Sequence, residues 1–468
     1  MRILLVSPPA GFSYTSIGIS RPPLGLAYIA AVLKDKYQVQ ISDFNVERKK
    51  WKKFPFREFD IVGISVDTSR YPVSLKIASR AKSQGAVVVM GGPHVSFMDR
   101  EALESGVVDY VVRNEGEYSF LSLVKFLSQE IPFEEVRGVS CLINGEYNRT
   151  PDAPFIADLD SLPFPARELL SLKRYREKMN GRLTTTLVTS RGCPFNCSFC
   201  SSSQFFGVKW RARSVENVFE EMELLYKKYN YRALSFVEDN FTLSPDRAVK
   251  LSERIIRHGW DILWGAWSRV DTIVKNPEMV RVMARAGFRW TFIGFESCNQ
   301  EVLNEYGKKA IVQDSLDAMQ ILNENGVGVT GSFILGALNE TKDMMKETIN
   351  FAKMLNPVRV QFSILTPYPG TQLYETVKDR LVTENWQLYS GAYSTIKLDN
   401  VSPKELRRLL VKAYFQFYAR MRQAVVNVPY LWRATPASLS LLFSKLAVVW
   451  RNAVFPVFLV FMRKYFKG

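Results

Sequence analysis

Hydrophobic residues in the first 130 positions fall in short β-branched runs, at 3–6, 39–43, 61–66, 86–90 and 110–113, separated by stretches with helical spacing. That alternation predicts βαβ units, and hence a parallel sheet with helices on both faces. Ligands of such sheets bind beyond the carboxyl ends of the strands. A proline-punctuated connector follows, from Pro151 through Pro154 to Pro165. From about residue 183 the pattern becomes six strand–helix repeats, with strands expected at 183–190, 234–239, 263–268, 290–296, 329–335 and 358–365 and helices such as 215–228 and 344–355. Parallel repeats of this kind curl into a barrel, and six instead of eight leave it open. The expected architecture is α/β: a parallel-sheet unit over 1–135, a linker over 136–180, a partial (β/α)6 barrel over 181–400, and a helical region over 401–468.

The chain has 468 residues, 47% of them hydrophobic and 13% aromatic, enough for two or three packed domains and too apolar for disorder. Met1-Arg-Ile-Leu-Leu-Val-Ser-Pro-Pro carries one basic residue and a very short apolar run, so it reads as a first strand and not as a secretory signal. Five cysteines do not make a disulfide framework and fit a reducing cytoplasm.

Net charge is +16, and its distribution matters more than its size. After Glu405 there is no acidic residue, while eleven lysines and arginines follow, leaving the rest of the chain at +5. Segments such as 414–422, 439–450 and 454–466 mix these with large apolar and aromatic side chains. Lys445 and Arg451 interrupt the best window for a spanning helix, which needs ~20 apolar residues. Helices lying in the headgroup layer suit the composition better, and place the protein at the cytoplasmic face of a membrane. A helical cap packed on the core is the alternative. A nucleic-acid surface is not expected, because such surfaces are wetter and less rich in Val, Leu and Phe.

The densest chemistry is Leu187-Val-Thr-Ser-Arg-Gly-Cys193-Pro-Phe-Asn-Cys197-Ser-Phe-Cys200, three cysteines within eight residues after an apolar run. Three soft thiolates on a loop bent by Gly192 and Pro194 suit three corners of one iron–sulfur cube. With no fourth cysteine near, one iron stays open, as catalytic metal sites do. A zinc site short of one ligand and three unligated thiols are the blander alternatives.

At these residues the chain resembles the radical S-adenosylmethionine (SAM) superfamily, whose CxxxCxxC loop carries a [4Fe–4S] cluster. The resemblance implies that the open iron, Cys193, Cys197 and Cys200 holding the others, binds the amino and carboxylate groups of SAM. An electron, from a donor such as ferredoxin or flavodoxin, then cleaves SAM to methionine and a 5′-deoxyadenosyl radical. Later strand ends carry further matching segments. Phe236-Val-Glu238-Asp239-Asn240 offers two carboxylates for an ammonium, with helix capping as the alternative, and the resemblance assigns Glu238 and Asp239 to the methionine amino group. Arg269 suits a carboxylate unless it is spent on Asp271. Glu296 is expected to accept from ribose hydroxyls or an ammonium, and Gly336 to let backbone approach the adenine. Cys298, where related sequences often have glycine, is a candidate hydrogen-atom donor, against an ordinary packed cysteine.

The first part resembles the cobalamin (B12)-binding, Rossmann-like domain fused ahead of many radical SAM enzymes, through Pro22-Pro-Leu-Gly25-Leu-Ala-Tyr-Ile-Ala, Gly63-Ile-Ser65 and Gly91-Gly92-Pro-His94. Ser65, Gly91 and Gly92 match segments that line the nucleotide tail. The family's DxHxxG motif is absent, and the only histidines are His94 and His258. This implies cobalamin without a protein histidine on cobalt, or a domain that has lost the cofactor. Class B radical SAM methyltransferases, bacteriochlorophyll ring cyclases, hopanoid methylases and tetraether ring-forming enzymes share the layout. The function implied is modification of an unactivated carbon, by C-methylation or by carbon–carbon bond or ring formation, on a lipid or isoprenoid-type substrate at the membrane. A tRNA-modifying methylthiotransferase would need three more cysteines, with only Cys141 and Cys298 spare. A non-catalytic membrane-associated iron–sulfur scaffold is the other alternative.

Overall fold

The structure, a computed structural model, describes residues 1–10, 21–47 and 51–420. The first sheet holds β1 (Arg2–Ser7), β2 (Gln38–Asp43), β3 (Ile61–Ser65), β4 (Val87–Gly91) and β5 (Tyr110–Val112), parallel in the order β2-β1-β3-β4-β5. Leu4 and Val6 look to one face, Ile3 and Leu5 to the other, so successive residues of one strand feed two separate cores. On the Ile3 face lie α1 (Leu24–Leu33) and α4 (Gly116–Leu127). The Leu4 face is covered by α2 (Tyr71–Lys82) and α3 (Asp99–Glu104).

The linker was expected to begin at 136, yet β6 (Val139–Ile143) and β7 (Glu146–Arg149) continue the first sheet as an antiparallel hairpin on β5. Buried Arg113 ties it down, donating to Ser140 Oγ at 2.6 Å, to the Thr150 carbonyl at 2.6 Å and to Asp152 at 2.8 Å.

The second sheet begins with the short hairpin β8 (Lys178–Met179) and β9 (Arg182–Leu187). A two-stranded ribbon, β10 (Ser190–Arg191) with β11 (Arg211–Ala212), brackets the cysteine loop and α5 (Ser201–Phe206). Then α6 (Val215–Lys227), β12 (Ala233–Phe236), α7 (Pro245–Arg257), β13 (Leu263–Ser268), α8 (Val270–Lys275) and α9 (Pro277–Arg285) follow in turn. The last repeats are β14 (Phe288–Glu296), α10 (Gln300–Glu305), α11 (Val312–Glu324), β15 (Gly328–Leu335), α12 (Lys342–Leu355) and β16 (Arg359–Ile364). Six strands run parallel in the order β9-β12-β13-β14-β15-β16, the open half-barrel the repeats predict.

An open sheet leaves β16 with unpaired backbone groups. They are covered by α14 (Pro403–Tyr418), which follows α13 (Gln372–Thr376) and an irregular stretch. Tyr414 Oη accepts from Phe362 N–H at 3.0 Å and donates to its carbonyl at 2.9 Å. Tyr418 Oη does the same for Val360, at 3.0 and 3.2 Å. One helical turn matches two residues of strand closely enough for both tyrosines to reach. Of the aromatic run at 414–418, expected to face a membrane, Tyr414, Phe417 and Tyr418 pack on the barrel while Phe415 is exposed, so the helical-cap alternative holds for the inner face of 403–418. Segments 439–450 and 454–466 lie outside the described residues.

The two sheets meet at their carboxyl ends. A side chain at Gly370, beyond β16, would strike Phe97, beyond β4. Trp386 Nε1 donates to Glu101 Oε1 of α3 at 2.9 Å, and Tyr175 Oη to Asp43 Oδ2 at 2.9 Å.

Candidate functional site

At the carboxyl ends of the barrel strands opens a cavity of about 350 Å³, within the range of small-molecule sites. Its walls follow the pleat, with residues two apart on one strand: Trp267 and Arg269, then Phe292, Gly294 and Glu296, Ser332 and Ile334, Gln361 and Ser363. One side of the cavity is the cysteine loop, and Cys193, Cys197 and Cys200 all line it.

The loop is held by backbone more than by side chains. Gly192 has φ +83°, and a Cβ there would lie 2.4 Å from the Lys209 carbonyl, so only glycine fits. Asn196 also takes a left-handed conformation, and Cys200 N–H donates to the Cys197 carbonyl at 3.0 Å. Ser198 is clamped from both sides, its N–H on the Tyr306 carbonyl at 3.0 Å and its carbonyl on Leu373 N–H at 2.9 Å. Ahead of the loop, Arg191 donates to Glu115 Oε1 at 3.1 Å and to Glu117 Oε1 at 2.5 Å, and Arg211 joins Glu115 at 2.9 Å. These four charges are almost fully buried and join the loop to the start of α4.

Burial pushes the Cys200 thiol up to about 11 and raises that of Cys193. Such thiols wait protonated for a cation, and binding one releases protons. No group of three or more His, Cys, Asp or Glu side chains among the described residues is gathered around a single ion. A cube asks for something wider, one sulfur per iron, on a common wall with room beyond. The three cysteines line one such cavity.

The remaining expected residues divide. Asp239 lines the cavity and accepts from Ser202 Oγ at 2.5 Å, while burial raises its pKa. Glu238, beside it in the bend after β12, is not among the lining residues. It accepts from Thr189 N–H at 3.1 Å and from the Thr189 hydroxyl, and so supports the loop instead of reaching a ligand. Arg269 forms the ion pair with Asp271, at 3.0 Å, yet its guanidinium also lines the cavity and lies 3.6 Å over the Phe195 ring. Glu296 lines the cavity and pairs at 2.7 Å with Lys308, which sequence reading missed. Lys308 sits in a loop with no periodic signal, and only the fold brings it back to β14.

Two expected residues are placed outside the cavity lining. Gly336 (φ +86°) lies outside the cavity lining: a side chain there would meet Leu406, and its N–H is taken by Glu340 at 2.7 Å. Cys298 is also absent from the lining, with Sγ 3.6 Å from Thr348 Oγ1 of α12. Left-handed Glu296 (φ +64°) turns the chain so that residues 297 and 298 run away from the cavity.

Residues 187–352 match the radical SAM superfamily, and residues 15–124 match the B12 binding domain. A protein of Pyrococcus horikoshii, named as an uncharacterised methyltransferase, is 38% identical over 92% of this chain and 95% of its own length. The chain belongs to the radical SAM superfamily. It is an enzyme of the branch that carries a B12-binding domain ahead of the barrel, with a [4Fe–4S] cluster, SAM and cobalamin as cofactors. The hopanoid C-3 methylase of Methylococcus capsulatus is 27% identical over 85% of this chain and 76% of that protein. The fold is that of the radical SAM methyltransferase TsrM from Kitasatospora setae, solved with cobalamin and a [4Fe–4S] cluster, at a TM-score of 0.68 and 18% identity over 87% of this chain and 82% of that one.

This chain's residues fit the cluster and SAM, since the three cysteines share one polar-ended cavity. For cobalamin the fit is to a form without a histidine from below. His94 is fully enclosed between Tyr71 and Trp386, at ring distances of 4.4 and 4.9 Å, and burial lowers it to about 3. His258, which is exposed, caps the end of α7. Ser65 and Gly91 pair in register at the sheet's carboxyl edge. The glycines there also serve the chain's own turn, because a Cβ on Gly92 (φ +114°) would lie 2.7 Å from the Val66 carbonyl and one on Gly91 3.3 Å from that of Val112. The spare cysteines are far from each other in the fold, Cys141 on β6 and Cys298 beside α12, which leaves a methylthiotransferase's second cluster without ligands.

Proposed function

We propose that this enzyme methylates an unactivated carbon of a lipid or isoprenoid-type acceptor, working at a membrane surface with an electron donor such as ferredoxin or flavodoxin. The observation that carries the reading is the single cavity lined by Cys193, Cys197 and Cys200 together with Asp239, Arg269 and Glu296. In this reading the three cysteines hold the cluster and Asp239 accepts from the ammonium of SAM. Arg269, steadied by Asp271 and Phe195, receives the carboxylate, and Glu296 accepts from the ribose. Ser65, Gly91 and Gly92 lie along the cobalamin tail. When bound, the cofactors supply the electron that cleaves the sulfonium and the methyl group that is transferred.

The walls act by exclusion. Trp267 and Phe292, 5.0 Å apart, and Ile334 and Leu365 keep water from a reactive centre. An apolar acceptor is supported by these walls, by the hopanoid C-3 methylase among the relatives and by the basic, aromatic sequence after residue 420. No helix among the described residues is long and apolar enough to cross a membrane.

The test is anaerobic incubation of reconstituted enzyme with cobalamin, a reductant, membrane lipid extract and SAM bearing a deuterated methyl group. Deuterium is expected in an extracted lipid together with 5′-deoxyadenosine. Label confined to water-soluble products refutes the lipid acceptor, and a cluster-loaded protein that forms no 5′-deoxyadenosine refutes the enzyme in favour of a scaffold. Cys193→Ala is expected to lose both iron and product.

A further inference from the structure

One charged pair in the cavity answers to no sequence motif. Beyond α10 the chain turns at Gly307, and Lys308 reaches back to the end of β14. Its Nζ donates to Glu296 Oε1 at 2.7 Å and to the Gly294 carbonyl at 2.5 Å. The surroundings are shaped for this pair. A Cβ on Gly294 would lie 2.0 Å from Glu296 Oε1 and 2.9 Å from Lys308 Nζ, so the strand is bare where the two groups sit. Glu296 has φ +64°, a left-handed conformation that a glutamate keeps only when its neighbours hold it there. The pairing of β14 with β15 slips at the same place, between Gly294 and Glu296. Both side chains are under 10% exposed, and both line the cavity.

We propose that Lys308 is a positioning residue. It fixes Glu296 Oε1, so that Oε2, which makes no hydrogen bond among the described residues, faces the ribose hydroxyls of SAM. The inference rests on the reading of this cavity as the SAM site. Charge balance gives the reason for a lysine here. Asp239 already contributes one carboxylate and Arg269 is partly spent on Asp271, so Lys308 is the cation that answers the second carboxylate, Glu296.

The experiment measures binding, not turnover. Cluster-reconstituted full-length protein is dialysed anaerobically, without reductant, against SAM and against SAM lacking the ribose 2′- or 3′-hydroxyl. Wild type is expected to prefer SAM by about tenfold or more, as a hydrogen bond to a charged group implies. Lys308→Met is expected to weaken SAM binding by about that factor and leave the deoxy forms nearly unchanged, so that the preference collapses. Lys308→Arg, which keeps the charge, restores most of it. Iron content and thermal midpoint are followed in parallel, and Lys308→Gln replaces the methionine variant if that one does not fold. A variant that loses stability but keeps the wild-type preference shows a merely structural role and overturns the proposal, as does a wild type indifferent to the hydroxyls. A cluster-loaded wild type that binds no SAM overturns the reading of the cavity itself.

Discussion

Replacing Arg191 by methionine removes the guanidinium that bridges Glu115 and Glu117, at 3.1 and 2.5 Å, between the cysteine loop and α4. Burial works against this guanidinium, but Glu117 and Glu115 overcome it and hold its pKa above the usual value. Glu115 keeps Arg211 after the change, whereas Glu117, with a side chain only 5% exposed, loses its one charged partner. Stranding a buried charge in this way costs about 3–5 kcal/mol, far more than the roughly 0–1 kcal/mol of an exposed pair such as Arg281 with Glu278. Urea unfolding is expected to show that loss for Arg191→Met and almost none for Arg281→Ala. Adding Glu117→Gln removes the stranded charge, so the double variant is expected to recover about half of the loss. Because Arg191 lies two residues before Cys193, iron retention on dialysis is expected to fall with stability. An Arg191→Met protein within about 0.5 kcal/mol of wild type would show that the network is not what joins loop to helix.

The other expectations follow from single contacts. Burial raises Glu340 to about 7, against the hydrogen bonds from Gly336 and Ala337 that favour its charge. The folded state therefore prefers the acid, and stability falls by roughly 3 kcal/mol as pH rises from about 4.3 to 7, then levels off. Glu340→Gln is expected to flatten that stretch of the urea-midpoint profile, and an unchanged slope refutes the assignment. Cys298→Ala is expected to keep full iron content and product formation, because Sγ meets Thr348 outside the cavity; lost activity with iron intact would return the thiol to the chemistry. Tyr414→Phe and Tyr418→Phe each strand an N–H and a carbonyl of β16 and are expected to lower unfolding free energy by about 1–3 kcal/mol apiece. Values near zero would mean that water replaces the hydroxyls.

Strand positions were legible because their signal is local. β13 falls at 263–268, where the apolar run ends, and other expected strands lie within a few residues of those observed. The hairpin of β6 and β7 has a local signal too, in Asn144-Gly145, where both residues have positive φ, as a two-residue turn requires. The prolines after it disguise the region as a linker. The edge role of Tyr414 and Tyr418 was hidden for a different reason: aromatics at i and i+4 beside arginine and lysine suit lipid as well as they suit a strand edge. Composition does not say which partner a helix face will meet.

The site was legible as far as the pleat extends. On β14 and β15 the lining residues alternate, Phe292, Gly294 and Glu296, then Ser332 and Ile334, and this pattern brings in Glu296, while Arg269 enters from the turn after β13. Beyond β12 the adjacent carboxylates part, Asp239 lining the cavity and Glu238 accepting from Thr189, so a motif with two neighbouring carboxylates contains one cavity-facing group and one support. Beyond the first left-handed residue the pattern no longer applies. Glu296 at φ +64° carries Cys298 off to α12, and Gly336 at φ +86° faces Leu406. Counting inward-facing positions along a barrel strand is thus sound up to that residue and not past it. The groups that complete the site, Lys308 above all, arrive from loops whose return no local pattern records.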